Sequence, residues 1–350
     1  MTEHAKASSY LKPLLARLQR LLARVVAIYH PDNLKEKGWI WSLGVVAFTF
    51  FVFLLLISLW WDRAPDIFNV QTQAQTQADY HSEKLVTGYV TVNTTIELIE
   101  RLIHKSGGYL TNDLLPPSVL MDDMPHWEWG VLQQLRDFTK ALRNDISRSR
   151  TQSQEDIDLA KAEPKLNTDN QSWFWPAAEK EYQTGQAYLA SYLRRLAHPK
   201  NNTAQFFARA DNLRDWLEDV VKRLGSLSQR LSASVGQRRS NTDLNDTTQP
   251  QPSEVDVKTP WLQVDDVFFE ARGSCYALIH LLRAIEIDFK PVLQKRNAVF
   301  ILQQVIRELE TTQKTVWSPM ILNGTEFGIF ANHSLVLSSY ISRANNGIIE

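Results

Sequence analysis

The chain has 350 residues, of which 44% are hydrophobic and 22% charged, which is typical of a folded protein with one large domain or two ordinary ones. The formal net charge of −1 argues against a nucleic-acid-binding protein, which usually carries a clear excess of basic residues. The single cysteine excludes an internal disulfide framework and a cysteine-rich zinc site.

An uncharged apolar segment near the N-terminus predicts a transmembrane helix. Residues 38–61 read GWIWSLGVVAFTFFVFLLLISLWW. As a helix they would span about 36 Å, which is enough for a hydrocarbon layer of about 30 Å. Tryptophans lie at both ends, where indole rings prefer the membrane interface: Trp39, Trp41, Trp60 and Trp61. We interpret the segment as an uncleaved anchor, because it is too long for a signal peptide and no small-residue cleavage site follows it.

The charge on either side of the anchor predicts its orientation. Seven basic residues precede it: Lys6, Lys12, Arg17, Arg20, Arg24, Lys35 and Lys37. Since the more basic flank stays in the cytoplasm, we expect residues 1–37 to be cytoplasmic and residues 62–350 to be periplasmic in a Gram-negative host. No second hydrophobic span follows, so the prediction is a single-pass protein of the bacterial inner membrane.

The N-terminal tail has its own pattern. In LKPLLARLQRLLARVVAIYH, leucines recur at helical spacing, while Arg17, Arg20 and Arg24 fall on the other face. This predicts a basic amphipathic helix within residues 1–37. We favour a helix that lies on anionic lipid over one that packs on a partner protein.

The segment after the anchor is polar and rich in Gln and Ala, so we expect residues 62–85 to form a stalk. The stretch KLVTGYVTV, residues 84–92, shows the only convincing strand alternation. The next stretch, TTIELIERLIHKSGGYL, predicts an amphipathic helix that Gly107 and Gly108 end.

Residues 86–235 are predicted to be a helical region. One helix carries apolar positions from Val131 to Leu142, and another lies between Pro176 and Pro199. The most regular helix has a heptad seam whose central positions are Leu217, Val220, Leu224 and Leu227. Because the seam covers only about 2.5 heptads, we favour packing inside an antiparallel bundle over binding of a partner helix or a second copy of the chain.

Residues 236–260 contain almost no large apolar residues and predict a long flexible linker or loop. Residues 261–350 form a second helical region, which we expect to pack with the first. Its helices are predicted at about residues 262–288, 292–313 and 330–345. The predicted fold class is mainly α: one N-terminal transmembrane helix followed by a periplasmic α-helical bundle.

The only cysteine, Cys275, precedes His280 in ARGSCYALIHLLRAIEIDF and raises the question of a catalytic pair. Five residues on a helix place the two side chains about 140° apart, so they would not meet. The neighbours of Cys275 at helical spacing are mostly apolar. We therefore expect this stretch to be a wall of the bundle.

The densest mixture of acids and aromatic residues is MDDMPHWEWG, which contains Asp122, Asp123, Trp127, Glu128 and Trp129. Carboxylates beside exposed indole rings can bind or cleave glycans, since cleavage uses two carboxyl groups and sugars stack on aromatic faces. The favoured interpretation is a helix start, in which the acids face the helix N-terminus and the tryptophans fill the core. Metal binding lacks a recognised ligand spacing here.

We find no phosphate-binding loop, zinc-protease motif, serine nucleophile motif or dinucleotide fingerprint. The sequence therefore predicts no cofactor and no metal, and it favours a protein that is not an enzyme.

Four longer stretches, together with KGWIW at the anchor, resemble a known protein family. They are GGYLTNDLLPPSVLMDDMPHWEWGVL, ARADNLRDWLEDVVKRLGSLSQRLSASVGQRR, VKTPWLQVDDVFFEARG and TVWSPMILNGTEFGIFANHSLVLSSYISRAN. The family is the proteobacterial group of predicted inner-membrane proteins known as domain of unknown function 2333. The resemblance covers nearly the whole chain after residue 35 and implies a bacterial host, but no catalytic residue.

Two hypotheses about function follow. The first is a non-enzymatic envelope scaffold or adaptor that binds the lipid bilayer and another envelope protein, or forms a homo-oligomer. The alternative is a protein that acts on peptidoglycan or binds glycans through Asp122, Asp123 and Glu128 with the neighbouring tryptophans.

Overall fold

The computed structural model describes residue 29 and residues 38–149, 154–198, 203–240, 254–318, 320–325 and 329–350. The chain divides into two compact units, Met1–Leu59 and Trp60–Glu350. The amphipathic helix predicted within residues 1–37 lies outside the described residues, apart from Tyr29.

Helix α1, Trp39–Trp61, is the predicted anchor. Its 23 residues include no charged side chain and no buried residue. Within the described ranges it is the one helix long and apolar enough to cross a membrane. Apart from Trp61, which is partly buried against the core of the second unit, its apolar side chains take no part in a protein core.

The described part of the second unit is mainly α, as predicted. Its helices are α2 Val70–His81, α3 Tyr89–His104, α4 Asp123–Ala141, α5 Leu159–Leu166, α6 Ala178–Ala197, α7 Ala210–Ser232, α8 Val264–Asp288, α9 Lys290–Lys295, α10 Val299–Thr311 and α11 His333–Ile349. A π-helical turn, Leu142–Ile146, continues α4. Two short strands, β1 Gln237–Ser240 and β2 Glu254–Val257, pair antiparallel.

Helix α8 is the centre of the bundle and is buried on nearly every side. It packs against α3, α4 and α10. The contact with α4 is close because two glycines meet there. A Cβ on Gly130 would lie 2.0 Å from the carbonyl oxygen of Glu270, and a Cβ on Gly273 would lie 2.0 Å from that of Trp127. Neither position has room for a side chain, so these glycines set how closely the two helices approach.

The two predicted helical regions share one core. Helices α4 and α7 of the first region pack against α8 and α11 of the second. The segment 236–260 therefore connects parts of one bundle. Its described ends form the β1–β2 pair, in which Gln237 lies opposite Val257.

The predicted stalk is wrong for much of residues 62–85, because Val70–His81 form a helix that packs against α3. Val70, Ala74 and Ala78 recur every four residues and are buried, while Gln71 and Gln75 are exposed. The side chain of Asn69 caps the helix by accepting hydrogen bonds from the backbone N–H groups of Gln71 and Thr72.

Two further predictions need correction. The strand expected over residues 84–92 is absent, because α3 already begins at Tyr89. The helix expected at about residues 292–313 is two helices, α9 and α10, and the break contains Asn297 with a φ of +55°. Asparagine tolerates this left-handed conformation better than most residues, which makes it a common helix-ending residue.

Candidate functional site at the start of helix α4

The acidic and aromatic residues at the start of α4 separate into an exposed and a buried group. Asp122 is exposed and occupies the N-cap position, where its side chain accepts a hydrogen bond from the backbone N–H of Asp123. Trp127 and Glu128 are buried. Trp129 is half-buried, with the guanidinium of Arg136 5.2 Å from its ring. The favoured interpretation as a helix start therefore describes the local structure.

Glu128 holds the turn that follows α3. Its carboxylate forms an ion pair of 2.6 Å with the ammonium of Lys105 and accepts hydrogen bonds from the backbone N–H groups of Leu110 and Thr111, each at 2.9 Å. The ammonium also donates to the carbonyl of Gly108 at 2.7 Å. Burial raises the pKa of Glu128, and the charge of Lys105 opposes that shift. All of these contacts are internal to the protein.

Trp127 and Glu128, two of the predicted glycan-binding residues, lie inside the bundle. The indole of Trp127 packs on the ring of Tyr276, with 5.2 Å between the ring centroids, and the carboxylate of Glu128 is enclosed by the turn that it holds. Neither side chain can reach a ligand in solution without opening the bundle. A pair of catalytic carboxylates that includes Glu128 therefore does not exist at this surface.

The aspartates at the same end of the bundle influence one another. Burial, followed by repulsion from Asp62, Asp122, Asp265 and Asp266, raises the pKa of Asp123 to about 7. Burial and the charge of Asp122 raise the pKa of Asp62 to about 6. No group of three His, Cys, Asp or Glu side chains in the described residues could hold a metal ion.

Cys275 and His280 belong to the wall of the bundle, as expected. Cys275 is fully buried, and burial raises the pKa of its thiol to about 12. Burial lowers the pKa of His280 to about 3, so its ring is neutral. Such a thiol is unreactive at physiological pH, and such an imidazole cannot carry a charge there.

His280 has a structural role that sequence analysis missed. Its Nδ1–H donates to the carbonyl of Tyr276 at 2.7 Å, and its Nε2 accepts the backbone N–H of Phe68 at 3.1 Å. The ring of Phe68 stacks on the imidazole with 4.0 Å between the centroids. The hydroxyl of Tyr276 donates to the carbonyl of Asp66 at 3.2 Å. The segment between α1 and α2 is thus fixed to α8.

The predicted partner seam on α7 lies mostly inside the bundle. Val220, Leu224 and Leu227 are buried, and α11 is the helix that α7 packs against most extensively. These three residues therefore pack within the bundle, as in the interpretation favoured from the sequence. Leu217 is half-buried and lines a groove with Val221, Leu293, Ile348 and Ile349.

The tryptophans at the ends of α1 have different surroundings. Trp39 and Trp60 are exposed. Trp61 packs on the partly buried turn after α3, where a Cβ on Gly107 would lie 2.7 Å from the indole. The positive φ of Gly107, +87°, also favours glycine there. Trp61 therefore belongs to the surface of the bundle as well as to the end of α1.

The described residues define a class of protein. In this class, an N-terminal helix that is long and apolar enough to cross a membrane is followed by a helical bundle. The chain belongs to the family of domain of unknown function 2333, described as uncharacterized proteins conserved in bacteria, whose model matches residues 34–350. This confirms the resemblance seen in the sequence. No curated protein and no solved structure matches the chain.

Proposed function

We propose that this chain is a single-pass inner-membrane protein whose helical bundle faces the periplasm and serves as a non-enzymatic scaffold or adaptor for another envelope protein. The observation that carries the proposal is helix α1, whose 23 residues include no charged side chain and no buried residue. A surface of this size and composition is stable in lipid, and its length matches the hydrocarbon layer.

The flanking charges support the orientation. The seven basic residues before α1 favour a cytoplasmic N-terminus, whereas Asp62, Arg63 and Asp66 follow it. The family is described as conserved in bacteria, and the inner membrane as the site of insertion is part of the proposal.

The orientation can be tested with introduced cysteines, because Cys275 provides a silent background. We expect Gln304→Cys, on an exposed position of α10, to react with a membrane-impermeant maleimide in cells stripped of their outer membrane. Lys6→Cys should react only after the inner membrane is permeabilised. Cys275 should react only in denaturant, since its thiol is buried. Labelling of Lys6→Cys but not Gln304→Cys in intact cells would reverse the proposed orientation.

The groove beside α7 is the surface that best fits a protein partner. Its floor is apolar and contains Leu217, Val221, Leu293 and Ile348. Its rim carries charges of both signs: Asp211, Arg214, Glu218, Lys222 and Arg296. A partner helix with an apolar stripe between mixed charges would match this arrangement. The proposed partner surface therefore contains Leu217 of the predicted seam, but not the buried residues Val220, Leu224 and Leu227.

A crosslinked pull-down from detergent-solubilised membranes tests the scaffold role. The groove variant is Val221→Asp with Ile349→Asp, and the control is Val336→Asp, an exposed position at the other end of α11. We expect an envelope protein to be recovered in fixed stoichiometry with wild type and control, and at least tenfold less with the groove variant, at equal melting temperature. A second arm replaces residues 38–61 with an unrelated anchor and should recover the same partner. Recovery of no envelope protein by the wild type would contradict the scaffold role.

A further inference from the structure

Two loops of the bundle expose an unusual number of large apolar side chains. One loop joins α3 to α4, and the other joins α5 to α6. We call their exposed apolar residues the apolar loop patch: Leu114, Leu115, Val119, Leu120, Trp173, Phe174 and Trp175. Leu115 is 77% exposed and Phe174 68% exposed. Apolar groups clustered in this way mark an interaction surface more often than single exposed leucines do.

The two loops are fixed to one another, so the patch is a defined surface. The side-chain amide of Asn112, which is buried, donates to the carbonyl of Ser172 at 2.9 Å and to the carboxylate of Glu179 at 3.1 Å. Within the first loop, the hydroxyl of Ser118 donates to Asp113 at 2.8 Å. Because these contacts hold the backbone, the apolar side chains stay directed to the outside.

The two loops themselves carry little charge, while Glu179 and the aspartates at this end of the bundle lie beside them. Asp113 is the only charged residue between positions 110 and 121, and Asp169 is the only one between 167 and 177. Asp169 also accepts a hydrogen bond from the backbone N–H of Gln171 within its own loop. The surface therefore suits an apolar environment with a polar boundary.

The apolar loop patch lies beside Trp61, which belongs to the same compact unit and ends helix α1. Trp61, the last residue of that helix, lines one cavity together with Leu114, Leu115 and Trp173. If α1 crosses the bilayer, as proposed above, Trp61 lies at the membrane–water interface. Side chains that share a cavity with Trp61 then lie at the depth of the lipid headgroups, where Trp, Phe and Leu insert readily.

We propose that the apolar loop patch inserts into the outer face of the same bilayer that α1 crosses, so that the bundle is held on the membrane by a second contact. This inference rests on the proposed membrane span. The occupant is the boundary between headgroups and acyl chains, which offers an apolar layer to the leucines and polar groups to the indole nitrogens.

The test uses the full chain in vesicles of phosphatidylethanolamine and phosphatidylglycerol, at about one chain per vesicle so that a second copy cannot cover the patch. Single cysteines at Leu115, Phe174, Phe300 and Leu55 carry an environment-sensitive fluorophore. Phe300 is the matched control, since it is 70% exposed. It lies near the far end of α8, where the side chain of Gln303 bonds Glu286. Leu55 reports on α1 itself.

For labels at Leu115 and Phe174 we expect a several-fold reduction of iodide quenching relative to Phe300, together with quenching by lipids that carry a nitroxide near the headgroup. Equal iodide quenching at Leu115, Phe174 and Phe300 would refute insertion of the patch. If acyl-chain nitroxides still quench Leu55 in that case, the membrane span is unaffected. Iodide quenching of Leu55 would overturn the span and the patch together. Protection of the patch in native membranes but not in pure lipid would assign the surface to a protein and overturn insertion. Cys275 must stay unreactive in each variant, which confirms the fold.

Discussion

The sequence pattern suggests a binding role for Glu128, whereas the fold buries its carboxylate against the ammonium of Lys105. Both side chains are almost completely buried, and each depends on the other for its charge balance. Removing one partner leaves the other charge buried and unpaired, which typically costs about 3–5 kcal/mol. Glu128→Ala would also leave the backbone N–H groups of Leu110 and Thr111 without acceptors. We therefore expect this variant to lower the free energy of unfolding by about 3–5 kcal/mol in urea denaturation of the detergent-solubilised chain.

Two further variants make this measurement specific. Asp122→Ala removes an exposed acid six residues earlier and should cost at most about 1 kcal/mol, the value of an ordinary helix cap, because the loss of its repulsion with Asp62 and Asp123 offsets part of the cost. Lys105→Met combined with Glu128→Leu should cost less than the sum of the single changes, because no charge is then left buried. A loss of less than 1 kcal/mol for Glu128→Ala would contradict the role given to this pair.

At the scale of elements, the sequence predicts those helices whose pattern is complete within the element. Helix α1 follows from an unbroken apolar run, and α7 follows from leucines at heptad spacing. The sequence cannot say what covers a buried face, because α11, which packs on α7, lies about a hundred residues further along the chain. The sequence around Val220 and Leu224 is therefore compatible both with a partner helix and with a helix of the same chain.

Helix α2 could not be predicted for a different reason. Its buried face consists of Val70, Ala74 and Ala78, which give a weak apolar signal among glutamines. The helix is stabilised by packing on α3, and helices as short as this are marginal in isolation. The contact of His280 with Phe68 is equally hidden, since the two residues are 212 positions apart and no local spacing connects them.

At the scale of the whole molecule, the end of the bundle that holds Trp61 combines apolar loops with carboxylates from three segments. Asp62 follows α1, Asp122 and Asp123 begin α4, and Asp265 and Asp266 begin α8. Repulsion among them, added to burial, disfavours the charged form of Asp123. This part of the fold is therefore less stable when all five groups are ionised.

The pH dependence of stability tests that arrangement. A carboxyl group whose pKa is raised by folding stabilises the folded state below its unfolded pKa, and this contribution is lost as pH rises through the folded value. For Asp123 the contribution is lost progressively between the ordinary carboxyl pKa of 3.8 and about 7, the pKa that burial and the neighbouring aspartates produce. His280 acts in the opposite direction on acidification, so the useful quantity is the difference between a variant and wild type. We expect Asp123→Asn to melt a few degrees above wild type at pH 8, and this advantage to decrease as pH falls below 7, to be clearly smaller at pH 5.5 and to vanish only near pH 4, the pKa of an unfolded aspartate. Asp79→Asn, in the exposed part of α2, is the control and should show no such trend. An advantage for Asp123→Asn that stays constant between pH 8 and pH 5.5 would mean that Asp123 does not titrate near neutrality, and that the aspartates at this end do not repel one another as the fold implies.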